Sequence, residues 1–161
     1  MDKFNYRSIG IIHSPFKSRE GTPIQPIGAT GVRAKVEIFP EYVEGLQDLE
    51  GFSHIILLYH FHLSQPYKLK VKPFLDDVER GLFATRAPAR PNPIGISVVR
   101  LIQIERATLS VQDIDIIDQT PLLDIKPFVP DFDVRPVKRI GWLENKSKSA
   151  DRTIDDGRFI E

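Results

Sequence analysis

The chain has 161 residues, 41% of them hydrophobic, and its 22 basic and 22 acidic side chains cancel to a formal net charge of zero. That is the size of one domain with enough apolar content for a core. A neutral chain carries no global basic field, so a polyanionic partner must meet a local patch. The absence of cysteine excludes disulfides, thiolate metal sites and cysteine nucleophiles. With no apolar leader and no long apolar span, a soluble cytoplasmic protein without a membrane partner is expected.

Residues 8–13, SIGIIH, read as a first strand. Residues 14–31 form a long loop rich in Pro, Gly, Ser and Thr, and such a loop in a compact domain is functional or disordered. Ala34, Val36 and Ile38 alternate with Lys35 and Glu37, the pattern of a half-buried strand. Tyr42, Leu46 and Leu49 fall at helical spacing before Gly51 and predict a short helix. Further strands are expected over 52–63 (FSHIILLYHFHL), Ile94–Ile104, 109–117 and Pro121–Phe128. The expected fold is therefore mainly β: a small closed or nearly closed β-barrel with short helices and long functional loops. It occupies residues 1–143, and the polar stretch 144–161 is expected as a mobile or peripheral tail.

The segment Gly81–Ser97, GLFATRAPARPNPIGIS, concentrates Arg86 and Arg90 among Pro88, Pro91 and Pro93. Proline fixes φ and removes a backbone donor, so this stretch is neither helix nor central strand. It is a rigid extended loop that holds two guanidiniums at set positions, and arginine suits bidentate recognition of phosphate or carboxylate. A Pro-rich turn with two exposed arginines is the plainer alternative.

His54, His60 and His62 fall on one face of the 52–63 strand by period two. An HxH pair is a familiar zinc or iron arrangement, but no third ligand is named, and a cavity-lining role for His62 competes with it. No metal is assigned. In 113–128, DIDIIDQTPLLDIKPF, residues 118–121 have turn chemistry, and Asp124 and Lys126 share one strand face. They are either a surface ion pair or an acid and a base facing a ligand. There is no GxGxxG, no P-loop and no GxSxG elbow, so a nucleotide-like cofactor would need an unusual scaffold.

Taken together, IGIIHSPF (9–16), the PxQP of Pro23–Pro26, the segment 48–62, GLFATRAPARPNPIGIS and DQTPLLDIKPF (118–128) resemble the TsaA-like, TrmO-type family of tRNA methyltransferases. The resemblance runs from about Ile9 to Pro130 in one order and corresponds to a short form without the C-terminal domain of longer members. It implies a β-barrel homodimer that binds S-adenosylmethionine and methylates N6 of N6-threonylcarbamoyladenosine beside the anticodon of tRNA. Carried over by position, the cofactor would contact Pro26, Ile27, Gly28, Gln65, Pro66, Arg90, Arg100, Leu123, Asp124, Ile125 and Lys126. Arg86, Asn92 and His62 would face the tRNA, and Asp124 or His62 could take the N6 proton. The chain departs from the family pattern at Ile24, Ala89 and Gln119. Gln119 replaces a glycine in a turn that favours positive φ.

Two other functions compete. One is a metal-dependent barrel hydrolase using His60 and His62. The other is a non-catalytic RNA-binding module with Arg86, Arg90, Lys68, Lys70 and Lys72 as its patch.

Overall fold

The computed structural model describes residues 2–157, and residues 158–161 of the expected tail lie outside the described residues. In chain order the strands are β1 (Gly10–His13), β2 (Arg33–Ile38), β3 (His54–His60), β4 (Lys70–Val71), β5 (Arg80–Gly81), β6 (Ile94–Glu105), β7 (Thr108–Gln112) and β8 (Thr120–Pro127). Six of them close into a barrel in the order β1-β2-β7-β6-β3-β8, with every neighbouring pair antiparallel. Strands β4 and β5 form a separate two-stranded ribbon. The expected barrel is therefore present, and closure leaves its strands without the unpaired edges that an open sheet would carry.

Alternation builds the core. Along β2 the burial runs exposed–buried, so Ala34, Val36 and Ile38 point inward. Along β3 the inward set is Ile55, Leu57 and Tyr59. Val99, Leu109, Val111, Leu122 and Ile12 complete the fully buried interior. Each such aliphatic side chain contributes roughly 1.5–3 kcal/mol of burial. Gly10 faces the backbone of Glu37 on β2, where any Cβ would collide with the Glu37 carbonyl.

Three expectations need correction. The segment Pro40–Leu46 and the turn Leu49–Gly51 are 3₁₀ rather than α-helical. Asp48, with φ at 65°, separates the two and stops any continuous helix. The strand expected over 109–117 ends at Gln112, because Asp113 turns to φ 67° and its carboxylate accepts the amide of Gly31 at 2.7 Å. Strand β3 ends at His60, so His62 lies beyond it.

The polar stretch after residue 140 folds back on the barrel's loops. Trp142 donates its indole N–H to the carbonyl of Ala84 at 2.8 Å. Lys146 Nζ reaches Asp76 Oδ1 at 2.6 Å, while Arg80 holds the other oxygen of Asp76. Ile154 forms an isolated β-bridge with Pro23, flanked by hydrogen bonds between Asp155 and both Gly21 and Thr22. This strap covers the first long loop: a Cβ on Gly28 would meet the carbonyls of Ala150 and Asp151, each at 3.2 Å.

Candidate functional site

At one end of the barrel a cavity of about 280 Å³ opens between the first loop, the end of β3, the proline loop and the segment that joins β7 to β8. Its lining includes Arg86, Arg90 and His62, three residues singled out from sequence. The prolines of 88–93 keep the loop extended. The loop is then pinned from inside, because Arg90 Nη1 donates to the carbonyls of Thr85 at 2.9 Å and Ala87 at 3.3 Å. Among the described residues all hydrogen bonds of Arg90 run through Nη1, and its guanidinium stacks 5.7 Å from the Phe83 ring centroid. Arg86 donates to Gln25 Oε1 at 3.0 Å and so ties the proline loop to the first loop.

Three side chains at the cavity form a directed hydrogen-bond chain. Gly95, opposite Tyr59 in the β3–β6 register, leaves room for the tyrosine ring, which a Cβ there would strike. The Tyr59 hydroxyl lies 3.0 Å from Ser97 Oγ, and Ser97 Oγ donates to Asp115 Oδ1 at 2.6 Å. A serine hydroxyl has one proton; once it is given to Asp115, Tyr59 must be the donor in the other contact. Burial pushes the Asp115 carboxyl up to about 6, against the opposing pull of the Ser97 hydrogen bond and of Arg86. Burial also raises the Tyr59 hydroxyl, reinforced by the charge of Asp115, so it stays protonated.

His62 sits beside this chain. Its Nδ1 lies 3.3 Å from Thr120 Oγ1, and that hydroxyl donates to the Ile117 carbonyl at 2.7 Å. The imidazole N–H therefore points to Thr120, which leaves Nε2 as an acceptor. Burial lowers the His62 pKa, and the neighbouring charges of His60 and Arg19 lower it further, so it is neutral at physiological pH. His60 is not part of the cavity lining, and among the described residues no group of three or more His, Asp or Glu is placed to hold a metal ion. The lysines Lys68, Lys70 and Lys72 are exposed on and around β4, outside the cavity wall.

The remaining sequence-derived residues lie around the cavity rather than in its wall. Pro26, Ile27 and Gly28 form a 3₁₀ turn directly after the wall residue Gln25, and Ile27 is exposed. Gln65 and Pro66 follow the wall residue Leu63 and are exposed. Asn92 is exposed at the loop tip. Leu123, Asp124, Ile125 and Lys126 run along β8 beside β3, where Lys126 Nζ meets Asp124 Oδ2 at 2.7 Å. Arg100 stands opposite His54, four residues along β6 from the cavity residue Ile96, roughly 13 Å at the rise of a strand. It faces Asp113 at 4.0 Å.

Of the three departures from the family pattern, Ile24 lines the cavity and Ala89 is buried in the proline loop. Gln119 does adopt the positive φ of a glycine turn, at 63°, and its amide contacts His13 Nδ1 at 3.0 Å. Sequence reasoning missed Asp115, Ser97 and Tyr59. It also missed Arg19 of the first loop and Asp155 of the strap, which line the same cavity.

The family model of the tRNA-methyltransferase O N-terminal domain matches residues 11–134. The chain belongs to this family. It is 57% identical over 155 residues to a probable S-adenosyl-L-methionine-binding protein of Pyrococcus abyssi, covering 96% of this chain and 84% of that one. It is 39% identical over 132 residues to the mouse tRNA (adenine(37)-N6)-methyltransferase, covering 78% of this chain. The crystal structure of TrmO from Pseudomonas aeruginosa matches 88% of the chain with a TM-score of 0.73 and 39% identity. The chain spans 63% of that TrmO chain and 31% of the mouse protein. The likeness to TrmO agrees with the barrel that the alternation of apolar residues predicts.

Proposed function

We propose that this chain transfers a methyl group from S-adenosylmethionine to N6 of N6-threonylcarbamoyladenosine beside the anticodon of tRNA. The observation that carries the reading is the convergence of Arg86, Arg90 and neutral His62 on one barrel-end cavity in a chain of this family. Two fixed guanidiniums suit a substrate that carries phosphates and, on its threonyl arm, a carboxylate.

The residues around the cavity fit the cofactor by their chemistry. Pro26 and exposed Ile27 offer apolar faces for an adenine ring. The Asp124–Lys126 pair offers a carboxylate and an ammonium to a zwitterionic amino-acid end. Arg90, Gln65, Pro66, Gly28, Leu123 and Ile125 complete the proposed cofactor set. When bound, S-adenosylmethionine supplies an electrophilic methyl on a sulfonium. The protein's part is then to align donor and acceptor and to exclude water. Arg86, Asn92 and His62 are proposed to face the tRNA.

We assign the working form as a homodimer in the cytoplasm. Arg100 lies about 13 Å of strand away from the nearest wall residue, Ile96, and a second copy is proposed to bring it into a shared cofactor site. Ile94 and Ile96 at the cavity and Ile102 beyond Arg100 are exposed on the same face of β6, an apolar strip beside the site that a second barrel would cover. Calorimetric titration with S-adenosylmethionine and light scattering test the reading together. Saturable binding by a dimer is expected; a folded protein that binds none at millimolar ligand contradicts it.

A further inference from the structure

The segment after Asp113 is the part of the cavity wall that the sequence patterns leave unexplained. Had the strand continued, the alternation that buries Leu109 and Val111 would have turned Ile114 and Ile116 outward and Asp113 and Asp115 into the core. Instead the left-handed Asp113 ends β7, Ile114 and Ile116 become buried, and Asp115 lies in the cavity wall. There one carboxylate oxygen receives Ser97, and Ser97 is itself buried at 2% exposure inside the barrel. The group stands among Tyr59 from β3, Ser97 from β6 and Arg86 from the proline loop. His62, Arg90, Arg19 and Asp155 form the rest of the charged or titratable wall.

We infer that Asp115 is the catalytic base that takes the proton from the acceptor nitrogen, with Ser97 and Tyr59 as residues that position it. The inference rests on the methyltransferase reading above. The acceptor N6 is bonded to both a purine and a carbamoyl carbon, which makes its lone pair a poor nucleophile while the proton remains. In the step, N6 forms a bond to the methyl carbon as the S–CH₃ bond breaks. That bond pair stays on sulfur, and the N6–H proton passes to the carboxylate of Asp115. The other ionisable candidates are less suited. The carboxylate of Asp124 is engaged by Lys126 and lies outside the cavity wall. His62 loses basicity where Asp115 gains it, since burial and the charges of His60 and Arg19 disfavour a proton there. Its Nε2 is left to accept a hydrogen bond.

The geometry makes the carboxylate a tuned group. Burial favours its protonated form, while the Ser97 hydroxyl and the Arg86 charge favour the anion. The result is a base ionised at neutral pH that still holds a proton better than a surface aspartate.

The test uses the full chain with tRNA that bears N6-threonylcarbamoyladenosine. For Asp115→Asn, single-turnover methylation is expected to fall by about 100-fold or more, the usual worth of a general base. Calorimetric affinity for S-adenosylhomocysteine and the cooperativity of thermal unfolding should stay as in the wild type. The wild-type rate should rise with pH through about 6, and the residual rate of the variant should not. Ser97→Ala removes a donor to the anion, so the acid limb of its profile should move to higher pH, which a merely structural serine would not cause. An Asp115→Asn variant within about tenfold of the wild-type rate overturns the assignment. So does a variant whose affinity for S-adenosylhomocysteine drops in step with its rate, since Asp115 would then be a binding residue. A folded wild type that transfers no methyl overturns the methyltransferase reading and this inference together, whereas an active wild type with an active variant overturns this inference alone.

Discussion

Ser97 on β6 and Asp115, in the segment that joins β7 to β8, meet through a 2.6 Å hydrogen bond at the cavity wall. Burial around this contact outweighs it and has a thermodynamic consequence. The folded chain holds the Asp115 carboxyl at about 6, above its ordinary 3.8. Between those two values the native state therefore binds more protons than the unfolded chain. Stability from this group is present at low pH and is lost as pH rises through that window. Asp115→Asn removes the cost. It should unfold at higher urea than the wild type at pH 8, by about 1–3 kcal/mol. The gain should shrink as pH falls from about 6 to about 4 and be lost below that, where the carboxyl is protonated in folded and unfolded chains alike. Urea unfolding at pH 4 and pH 8 checks both the sign and the window.

Gly95 has a different job. It faces the Tyr59 ring across the β3–β6 pairing, and a Cβ there would also approach Phe61 to 2.9 Å. Gly95→Ala should force both rings aside and destabilise the barrel by about 1–3 kcal/mol. For a chain of this size that is a fall of roughly 2–4 °C in Tm per kcal/mol. A thermal melt unchanged by the substitution would mean that the rings have room to move.

The barrel is legible in the sequence because its strands alternate so regularly. Val36 and Ile38, or Ile55 and Leu57, could hardly be placed elsewhere than inside. The proline loop is legible because few folds other than an extended connector accommodate three prolines in six residues. Asp115 is not legible. Its neighbours suggest a strand, but the left-handed turn at Asp113, which accepts the amide of the distant Gly31, shifts the alternation so that Ile114 and Ile116 take the core and Asp115 joins the cavity wall. The strap is invisible for a similar reason. Polar composition reads as tail, yet the stretch is held by contacts such as Lys146 to Asp76, 70 residues apart.

Arg90 combines two roles that the sequence suggests only in part. Its side chain lines the cavity, as a ligand contact requires, and Nη1 also braces three carbonyls of its own loop. Arg90→Ala should therefore cost about 1–3 kcal/mol of stability from carbonyls left without a donor, besides about 1.5–3 kcal/mol of ligand affinity. Arg90→Lys should not restore the affinity, because an ammonium cannot reproduce the planar fork a bidentate ligand contact needs. Calorimetry with S-adenosylmethionine and thermal unfolding of both variants separate the two contributions.

Asp76 is the clamp of the strap. The hydrogen bonds from Lys146 and then Arg80 hold its carboxyl well below the usual range. A depressed carboxylate stabilises above its unfolded value and loses that contribution as the medium is acidified. Trp142, the single tryptophan, reports on the clamp through its bond to Ala84. Its emission should shift to the red as pH falls below about 4 in the wild type. In Asp76→Asn the same shift should already be present at neutral pH. An unchanged spectrum in the variant would show that the strap is held by its other contacts.

The most direct test of the proposed activity is mass spectrometry of tRNA nucleosides after incubation with the purified chain and S-adenosylmethionine. The substrate is tRNA carrying N6-threonylcarbamoyladenosine, and a parallel tRNA with unmodified adenosine at the same position serves as control. The threonylcarbamoyl nucleoside should gain the mass of one methylene, and the control should gain none. A folded, cofactor-binding chain that leaves the modified nucleoside unchanged would contradict the proposed methyl transfer.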